Sequence, residues 1–136
     1  MVKVSCELIN RIMDLLGSTD YESGGLLGSS NGDVVDTLYF DIGRRCSYTD
    51  YFPNVSLWEE QLQKWSESQI QLVGIIHSHI NSEKLSEKDV VMARRVVTAN
   101  SLECIQMPVF VINEKRIVWY EVSSDYVNVL SFEVNE

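Results

Sequence analysis

Three stretches of the chain place apolar residues three to four positions apart, which is the spacing of one helix face. In the first stretch these residues are Val4, Leu8, Ile12 and Leu15. We expect that helix to end at Gly17. A second helix is predicted over residues 56–69, where Ser56 as N-cap and Glu59 three positions later form a capping box. The third covers residues 86–100, so the pattern predicts three helices.

The other apolar stretches are shorter and favour β-strands. Residues 24–29 (GGLLGS) and 34–42 flank the turn sequence SNGD, which predicts a hairpin. Residues 70–79 (IQLVGIIHSH) are a nearly continuous apolar run, typical of a central strand that is buried on both faces. Residues 43–56 lack any period and predict a long loop. Three further strands are predicted at the end of the chain, MPVFVIN, RIVWYEV and YVNVLSFEV.

Helices and strands are intermixed, with antiparallel hairpins towards both ends of the chain. This order predicts an α/β (mixed α+β) fold in which a curved, mostly antiparallel sheet is flanked by helices. A length of 136 residues suffices for one domain with a hydrophobic core and is too small for two comfortable ones. We therefore expect residues 1–136 to form a single domain.

Charge and cysteine usage exclude several classes of protein. The formal net charge is −9, and such a surface repels phosphate, so no nucleic-acid partner is expected. No segment approaches the roughly 18 uncharged apolar residues of a membrane span, and the N-terminal stretch lacks the pattern of a signal peptide. Cys6, Cys46 and Cys104 have neither zinc-finger nor CxxC spacing. Reduced thiols are therefore expected, which indicates a cytoplasmic protein without a membrane partner.

Polar side chains meet at the end of the predicted central strand. His77 and His79 are two residues apart and point to one face of that strand. Ser86 and Asp89 lie on the first turn of the third helix. Ser86 with Asp89 is also a helix-capping pattern, and a histidine pair is by itself a weak signal. Together, however, two imidazoles and one carboxylate suit one Zn²⁺ per chain with a fourth position for water.

Glu22 and two glycines precede or begin the first predicted strand. A carboxylate near a metal-bound water can act as its general base, although a solvated charge at a strand start is the simpler interpretation of Glu22. Gly24 and Gly25 would allow a neighbouring backbone or an extended substrate to come close. We therefore include both glycines as predicted substrate-binding residues.

These residues stand in the order of a known motif, which is Glu22, His77, His79, Ser86 and Asp89. The sequence resembles the JAB/MPN metallopeptidases, also called JAMM or Mov34/MPN/PAD-1 domains. Their pattern is a glutamate on an early strand, then HxH, seven residues, serine, two residues and aspartate. ESGGLLG, GIIHSH and LSEKD look like the family's segments, and the likeness extends over roughly residues 1–122. The resemblance implies a JAB/MPN-like fold with a cytidine-deaminase-like core.

The sequence departs from the family pattern at two points of the same loop. Six residues separate His79 from Ser86 where the family has seven, and Ile80 stands where a proline is usual. The closure entropy of a loop changes little with one residue, so a shortened spacer can still close.

The resemblance also implies an activity, the hydrolysis of an amide or isopeptide bond by a zinc metallopeptidase. His77, His79 and Asp89 would hold the zinc ion that activates water. Glu22 would accept the proton of that water and pass it to the leaving amine. Ser86 would donate a hydrogen bond to the oxyanion.

The compact length resembles the bacterial and archaeal members of the family. These are associated with ubiquitin-like proteins or sulfur carriers that end in Gly-Gly, so we expect a protein or peptide substrate of that kind. We expect its extended tail to bind near the glycine-rich strand by β-addition. The loop over residues 43–56 could form one wall of such a groove, or it could be an ordinary surface loop. Its candidate wall residues are Arg44, Arg45, Tyr48, Tyr51 and Phe52.

Three alternatives stay open from the sequence. The first is a catalytically inactive MPN-like scaffold or binding module. The second is a zinc hydrolase of another class, but the HxE and PCxxC patterns of the zinc deaminases do not occur. The third is a purely structural domain with a capped helix and two polar histidines. The last predicted strand, YVNVLSFEV, could also leave an edge that pairs with a second copy to form a homodimer.

Overall fold

The structure is a computed structural model that describes residues 1–43 and 51–136. Three helices are present in these ranges, α1 (Cys6–Leu16), α2 (Val55–Glu67) and α3 (Glu87–Ala99). The strands are β1 (Val2–Ser5), β2 (Gly24–Ser29), β3 (Val34–Val35), β4 (Thr37–Asp41), β5 (Gln71–His79), β6 (Cys104–Val111), β7 (Arg116–Ser123), β8 (Val127–Leu130) and β9 (Phe132–Asn135). The prediction of a mixed α/β fold is confirmed. None of the described helices is both long and apolar enough to cross a membrane.

The larger sheet has six strands in the order β4-β2-β5-β6-β7-β8. Its pairs are antiparallel except for β5 and β6, which run parallel because α3 crosses over between them. β5 lies inside this sheet, and residues 74–79 are all buried. The prediction of a central strand buried on both faces is therefore confirmed.

A second, smaller sheet corrects the prediction for the N-terminus. β1 pairs in parallel with β3 and β9, so Val4 belongs to a strand and not to the first helix. The helix begins only at Cys6, because the side chain of Ser5 accepts a hydrogen bond from the Leu8 amide (3.1 Å) and caps it. The helix ends before Gly17, as predicted.

Two other predicted strands are divided by polar residues. The strand predicted over residues 34–42 breaks at Asp36, whose carboxylate accepts a hydrogen bond from the Ser30 amide (2.9 Å). The last predicted strand breaks at Ser131, so β8 ends the larger sheet and β9 joins β1. Val129 is 67% exposed on β8, which is an edge strand of the described sheet. The pairing of this region with a second copy stays a prediction.

The start of α2 also differs from its prediction. Asn54 is the N-cap, and its side chain makes no capping hydrogen bond. Ser56, the predicted N-cap, lies inside the helix and donates its hydroxyl hydrogen bond to Oδ1 of Asn54 (3.1 Å). The predicted N-cap is therefore two positions too late, and the predicted capping box is wrong, because the side chain of the observed N-cap makes no capping hydrogen bond.

Two hydrophobic clusters cover the two faces of the larger sheet. The first contains α1 and buries Val4, Leu8, Ile12, Leu16, Leu27, Val35, Leu38, Ile76, Phe110 and Trp119. The second contains α2 and α3 and buries Leu26, Tyr51, Trp58, Trp65, Ile75, Ala93, Val97, Ile105, Met107 and Val122. Alternate residues of a strand share a face, so His77 and His79 point to the same face as Ile75. That face is the one on which α3 packs.

Candidate metal centre

The two histidines and Asp89 form a triangle of ligand-type atoms. The Nε2 atoms of His77 and His79 lie 2.9 Å apart at the end of β5. Asp89, on the first turn of α3, places Oδ2 3.1 Å from Nε2 of His77 and 3.2 Å from Nε2 of His79. The crossover from β5 to α3 thus brings together the three residues predicted to hold metal.

The triangle fits a zinc ion. Imidazole nitrogen and carboxylate oxygen are zinc donors, and bonds of about 2.0–2.2 Å to a tetrahedral ion hold such atoms roughly 3.3 Å apart. The observed separations are close to that value. Three electron-rich atoms at this distance repel one another, so the arrangement favours a cation or a shared proton among them. The side chain of His77 is 2% exposed and that of Asp89 is 14% exposed, so the carboxylate faces the opening.

The second ring nitrogen of His79 is held by the backbone. Nδ1 of His79 donates to the carbonyl oxygen of Ser82, 3.0 Å away, which leaves Nε2 as the lone-pair atom that faces the triangle. The Nδ1 atom of His77 is buried and has no hydrogen-bond partner within the described ranges. His77 is therefore oriented by the packing of β5 and by the triangle itself.

Asp89 also caps α3 together with Ser86. Oγ of Ser86 accepts a hydrogen bond from the Asp89 amide (3.1 Å), and Oδ2 of Asp89 accepts one from the Ser86 amide (2.8 Å). This reciprocal pair is a capping box, the structural role that the sequence allowed. The oxygen that caps the helix is the oxygen that faces both histidines, so the cap fixes the third corner of the triangle.

Electrostatics couple Asp89 to the histidines. Partial burial alone would raise the pKa of Asp89, but hydrogen bonds from His77 and His79 outweigh it and hold that pKa well below its usual range. Burial alone would lower the pKa of His79, but the hydrogen bond and charge of Asp89, with the charge of Glu22, raise it. The lowered pKa keeps Asp89 a carboxylate, and the raised pKa of His79 favours its protonated form beside that negative charge.

Glu22 and Ser86 share a cavity with the triangle. The cavity has a volume of about 320 Å³, and its lining includes Glu22, His79, Ser86 and Asp89. Glu22 precedes β2, which pairs antiparallel with β5, so the first residues of β2 lie beside the last residues of β5. His77 forms the buried corner of the triangle behind this cavity. All five polar residues of the predicted site therefore meet in one place.

The two glycines predicted to bind substrate do not line this cavity. Gly24 and Gly25 are buried in β2, which is paired with β4 on one side and β5 on the other. A β-carbon on Gly24 would lie 2.3 Å from the carbonyl oxygen of Ile76, and one on Gly25 would lie 1.9 Å from that of Tyr39. The glycines thus permit close approach of neighbouring backbones, and their contact with an extended substrate stays a prediction.

The predicted loop wall is described only in part. Tyr51 lines the cavity, and Phe52 stacks beneath Nζ of Lys88, which lies 3.9 Å from the ring centroid. The other candidates, Arg44, Arg45 and Tyr48, lie outside the described residues, as does Cys46. Tyr51 is therefore the wall residue that the structure supports.

A buried carboxylate that the sequence analysis missed holds this wall in place. Oδ2 of Asp41 accepts hydrogen bonds from the Tyr51 hydroxyl (2.8 Å), the Asn54 amide (3.0 Å) and Nε1 of Trp58 (3.0 Å). Burial, followed by the charge and hydrogen bond of Asp41, raises the pKa of Tyr51. An aspartate at the end of an apolar strand was the only local signal of this arrangement.

The short spacer between the second histidine and α3 is anchored to the hairpin of β6 and β7. The amide of Asn113 donates to the Ile80 carbonyl oxygen (3.1 Å), and the Tyr120 hydroxyl donates to that of Glu83 (2.6 Å). Arg116 forms an ion pair with the Glu83 carboxylate. These contacts join residues more than 30 positions apart, so no local pattern in the sequence predicts them. They hold the loop whose backbone orients the second histidine.

Comparison with known proteins shows the fold. The sequence matches no protein-family model and no curated protein. The whole chain aligns with 94% of a Desulfitobacterium hafniense protein solved in solution, at a TM-score of 0.81 and 15% identity. It also aligns over its whole length with 98% of a JAB1/MPN domain protein from Archaeoglobus fulgidus, at a TM-score of 0.60 and 20% identity.

A third structure carries the same architecture. It is described as JAMM, a metalloprotease-like zinc site in the proteasome and signalosome, and the chain aligns with 99% of it at a TM-score of 0.59 and 20% identity. The chain has the JAB/MPN domain fold. Within this JAB/MPN fold, the His77, His79 and Asp89 group stands at the junction of β5 and α3.

Proposed function

We propose that this JAB/MPN protein is a zinc-dependent metallopeptidase of the JAMM type that hydrolyses an amide or isopeptide bond. One observation carries the proposal. The ligand-type atoms of His77, His79 and Asp89 lie within 3.2 Å of one another, and Glu22 lines the same cavity. Three protein donors and a nearby carboxylate are the residue types that metal-assisted hydrolysis requires.

Each residue has a defined part in the proposed reaction. A zinc ion held by His77, His79 and Asp89 would supply Lewis-acid chemistry and would lower the pKa of the attacking water to about 7. Glu22 takes the proton of the attacking water and returns it to the leaving amine. Oγ of Ser86 already accepts the Asp89 amide, so its own hydrogen stays available to donate to the oxygen of the scissile carbonyl. Such a donor lowers the activation barrier of the hydrolysis by about 3–4 kcal/mol.

The proposed substrate is the tail of a ubiquitin-like or sulfur-carrier protein that ends in Gly-Gly. The two glycines of such a tail have no side chains beside the scissile bond. They therefore suit a cavity of about 320 Å³ that opens between the end of β5 and the start of α3. The tail does not add to β2, because both edges of that strand are paired. In the described part of the larger sheet, the edge strand nearest the cavity is β4.

The test is cleavage of a ubiquitin-like protein with a Gly-Gly tail joined by an amide or isopeptide bond to a fluorescent amine. The zinc-loaded native chain is expected to release the amine, and a chelator is expected to stop the release. Glu22→Gln should keep its zinc and lose a factor of about 10²–10⁴ in turnover. Glu7→Gln on α1, against the opposite face of the sheet, is the matched control and should behave like the native chain.

A non-catalytic JAB/MPN binding module is the second candidate. The capping box favours it, because it gives Ser86 and Asp89 a structural role that needs no metal. A zinc-loaded native chain that cleaves no such bond, in the same assay, would contradict the peptidase and support the binding module.

A further inference from the structure

Ser78 lies between the two histidines and points to the opposite face of β5. Its amide donates to the carbonyl oxygen of Ser23 (2.8 Å), and its Oγ accepts a hydrogen bond from the Ser23 amide (2.9 Å). Both serines are fully buried. Ser23 is the residue that follows Glu22, so this pair of hydrogen bonds joins the histidine strand to the backbone beside the carboxylate.

The hydroxyl of Ser78 replaces a backbone acceptor. Gly24 lies opposite His77 in the β2–β5 ladder, so the next pair along the ladder is Ser23 with Ser78. In a regular antiparallel ladder the Ser23 amide would donate to the Ser78 carbonyl oxygen. Here it donates to the side chain instead. The chain therefore leaves the regular ladder at this residue, one position from Glu22.

The backbone on the other side of Glu22 is held as well. Oγ1 of Thr19 lies 2.8 Å from the carbonyl oxygen of Tyr21 and 3.5 Å from Oγ of Ser23. The residues before and after Glu22 are thus each fixed by a serine or threonine hydroxyl. Glu22, which lies between them, lines the cavity that it shares with His79 and Asp89.

We propose that Ser78 is a positioning residue for Glu22, because its hydroxyl fixes the Ser23 backbone where the chain leaves β2 and so aims the carboxylate into the cavity. The inference rests on the proposed function, in which Glu22 transfers the proton. Ser78 touches no reacting atom in this account. Removal of its hydroxyl leaves the buried Ser23 amide without its acceptor, and a small shift of a proton-transfer group is costly in rate.

The test compares Ser78→Ala with Ser29→Ala in the full chain. Ser29 is a matched control, since it is also buried, lies at the far end of β2 and accepts one backbone amide, that of Gly32, at 2.9 Å. Ser78→Ala should keep its zinc content and KM while kcat falls by about 10- to 100-fold. Ser29→Ala should keep kcat within about twofold of the native chain.

Two further readouts separate positioning from general damage. In a Glu22→Gln background, Ser78→Ala should cost no additional turnover, because the two residues act through one group. In zinc-free protein, the Ser23 amide should exchange its hydrogen slowly in the native chain and fast in Ser78→Ala, with Leu26 unchanged. The exchange rate of the Ser23 amide in the native chain needs no variant, so it tests the inference even if Ser78→Ala does not fold.

Several outcomes would overturn the inference. They are equal kcat values for Ser78→Ala and Ser29→Ala, an additional loss in the Glu22→Gln background, or fast exchange of the Ser23 amide in the native chain. A native zinc-loaded chain without turnover would overturn the proposed function and this inference together. An active native chain with an unaffected Ser78→Ala would overturn this inference alone.

Discussion

Nε2 of His77 lies 2.9 Å from Nε2 of His79. Two neutral imidazoles that approach through these atoms share one proton or one cation, because each nitrogen otherwise presents a lone pair to the other. The Oδ2 atom of Asp89 lies beside both and adds negative charge. The fold therefore joins the end of a buried strand to the capped start of a helix and so brings together three side chains that could hold a cation.

The first prediction concerns pH in the zinc-free protein. The raised pKa of His79 stabilises the fold fully below its unfolded value of 6.5, and this stability is lost as pH rises through the folded pKa. The lowered pKa of Asp89 stabilises the fold above its unfolded value of 3.8, and this stability is lost as pH falls towards the folded pKa. The contribution of the pair is therefore greatest between these two values.

Urea unfolding of the native chain and of His79→Gln measures this contribution. Without zinc, the difference between the two free energies of unfolding should shrink from pH 6 to pH 8.5. With zinc it should grow over the same range, because deprotonated histidine binds the metal. If, without zinc, the difference between the free energies of unfolding of the native chain and His79→Gln increases with pH, His79 is not held protonated by Asp89.

The second prediction separates the capping role of Ser86 from the catalytic role that we propose for its hydroxyl. Ser86→Ala and Ser5→Ala each remove an N-cap acceptor whose amide partner lies at 3.1 Å, so each should cost about 1 kcal/mol in free energy of unfolding. Only Ser86→Ala should also lower turnover, by a factor of about 10²–10³. Equal turnover in the two variants would leave Ser86 with the capping role alone.

The third prediction concerns the anchored spacer. Tyr120→Phe removes the hydroxyl that holds the Glu83 carbonyl oxygen, so the loop that orients the second histidine should loosen and zinc affinity should fall by roughly two- to tenfold. Tyr126→Phe is the control, since its hydroxyl donates to Glu121 on the exposed surface (2.8 Å). Zinc titration of both variants measures the effect, and identical affinities would mean that the spacer needs no anchor.

The fourth prediction concerns the glycine-rich strand. Gly25→Ala would place a methyl group 1.9 Å from the Tyr39 carbonyl oxygen, so the two strands must separate and the cost should exceed about 3 kcal/mol. At Gly32 an added β-carbon would lie 3.8 Å from Oε1 of Gln71, an ordinary van der Waals contact, so Gly32→Ala is strained only by its φ of +81°, at about 1 kcal/mol. Thermal or urea unfolding measures both. A mild Gly25→Ala variant would show that β2 can move away from its neighbour, which would favour the predicted contact of this strand with substrate.

Much of the site was predictable because its residues obey local rules. The two-residue period of a strand puts His77 and His79 on one face, and helical spacing puts Ser86 beside Asp89. Both rules hold without knowledge of the rest of the chain. The hairpin of β2 and β4 was predictable for the same reason, since a turn sequence separates two apolar runs.

The rest depends on contacts between distant parts of the chain. Val4 fits the apolar period of the following helix, but in the folded chain it pairs with β3 and with β9 at the far end of the sequence. Only these distant contacts make it part of a strand. Ser82 contacts His79 through its backbone carbonyl oxygen, and because every residue has that group, the serine itself does not indicate the contact. The role of Asp41 depends on Tyr51, Asn54 and Trp58, whose donors reach its carboxylate only in the folded chain.

The most direct test of the central claim is the zinc content of the purified full chain, measured after dialysis against zinc beside Asp89→Asn and His79→Ala. Asparagine is nearly isosteric with aspartate and can still accept the Ser86 amide, so the cap of α3 should persist. We predict about one zinc ion per chain in the native protein and a loss of zinc in both variants, with helix content unchanged. A folded native protein that takes up no zinc, or variants that bind it equally well, would contradict the account.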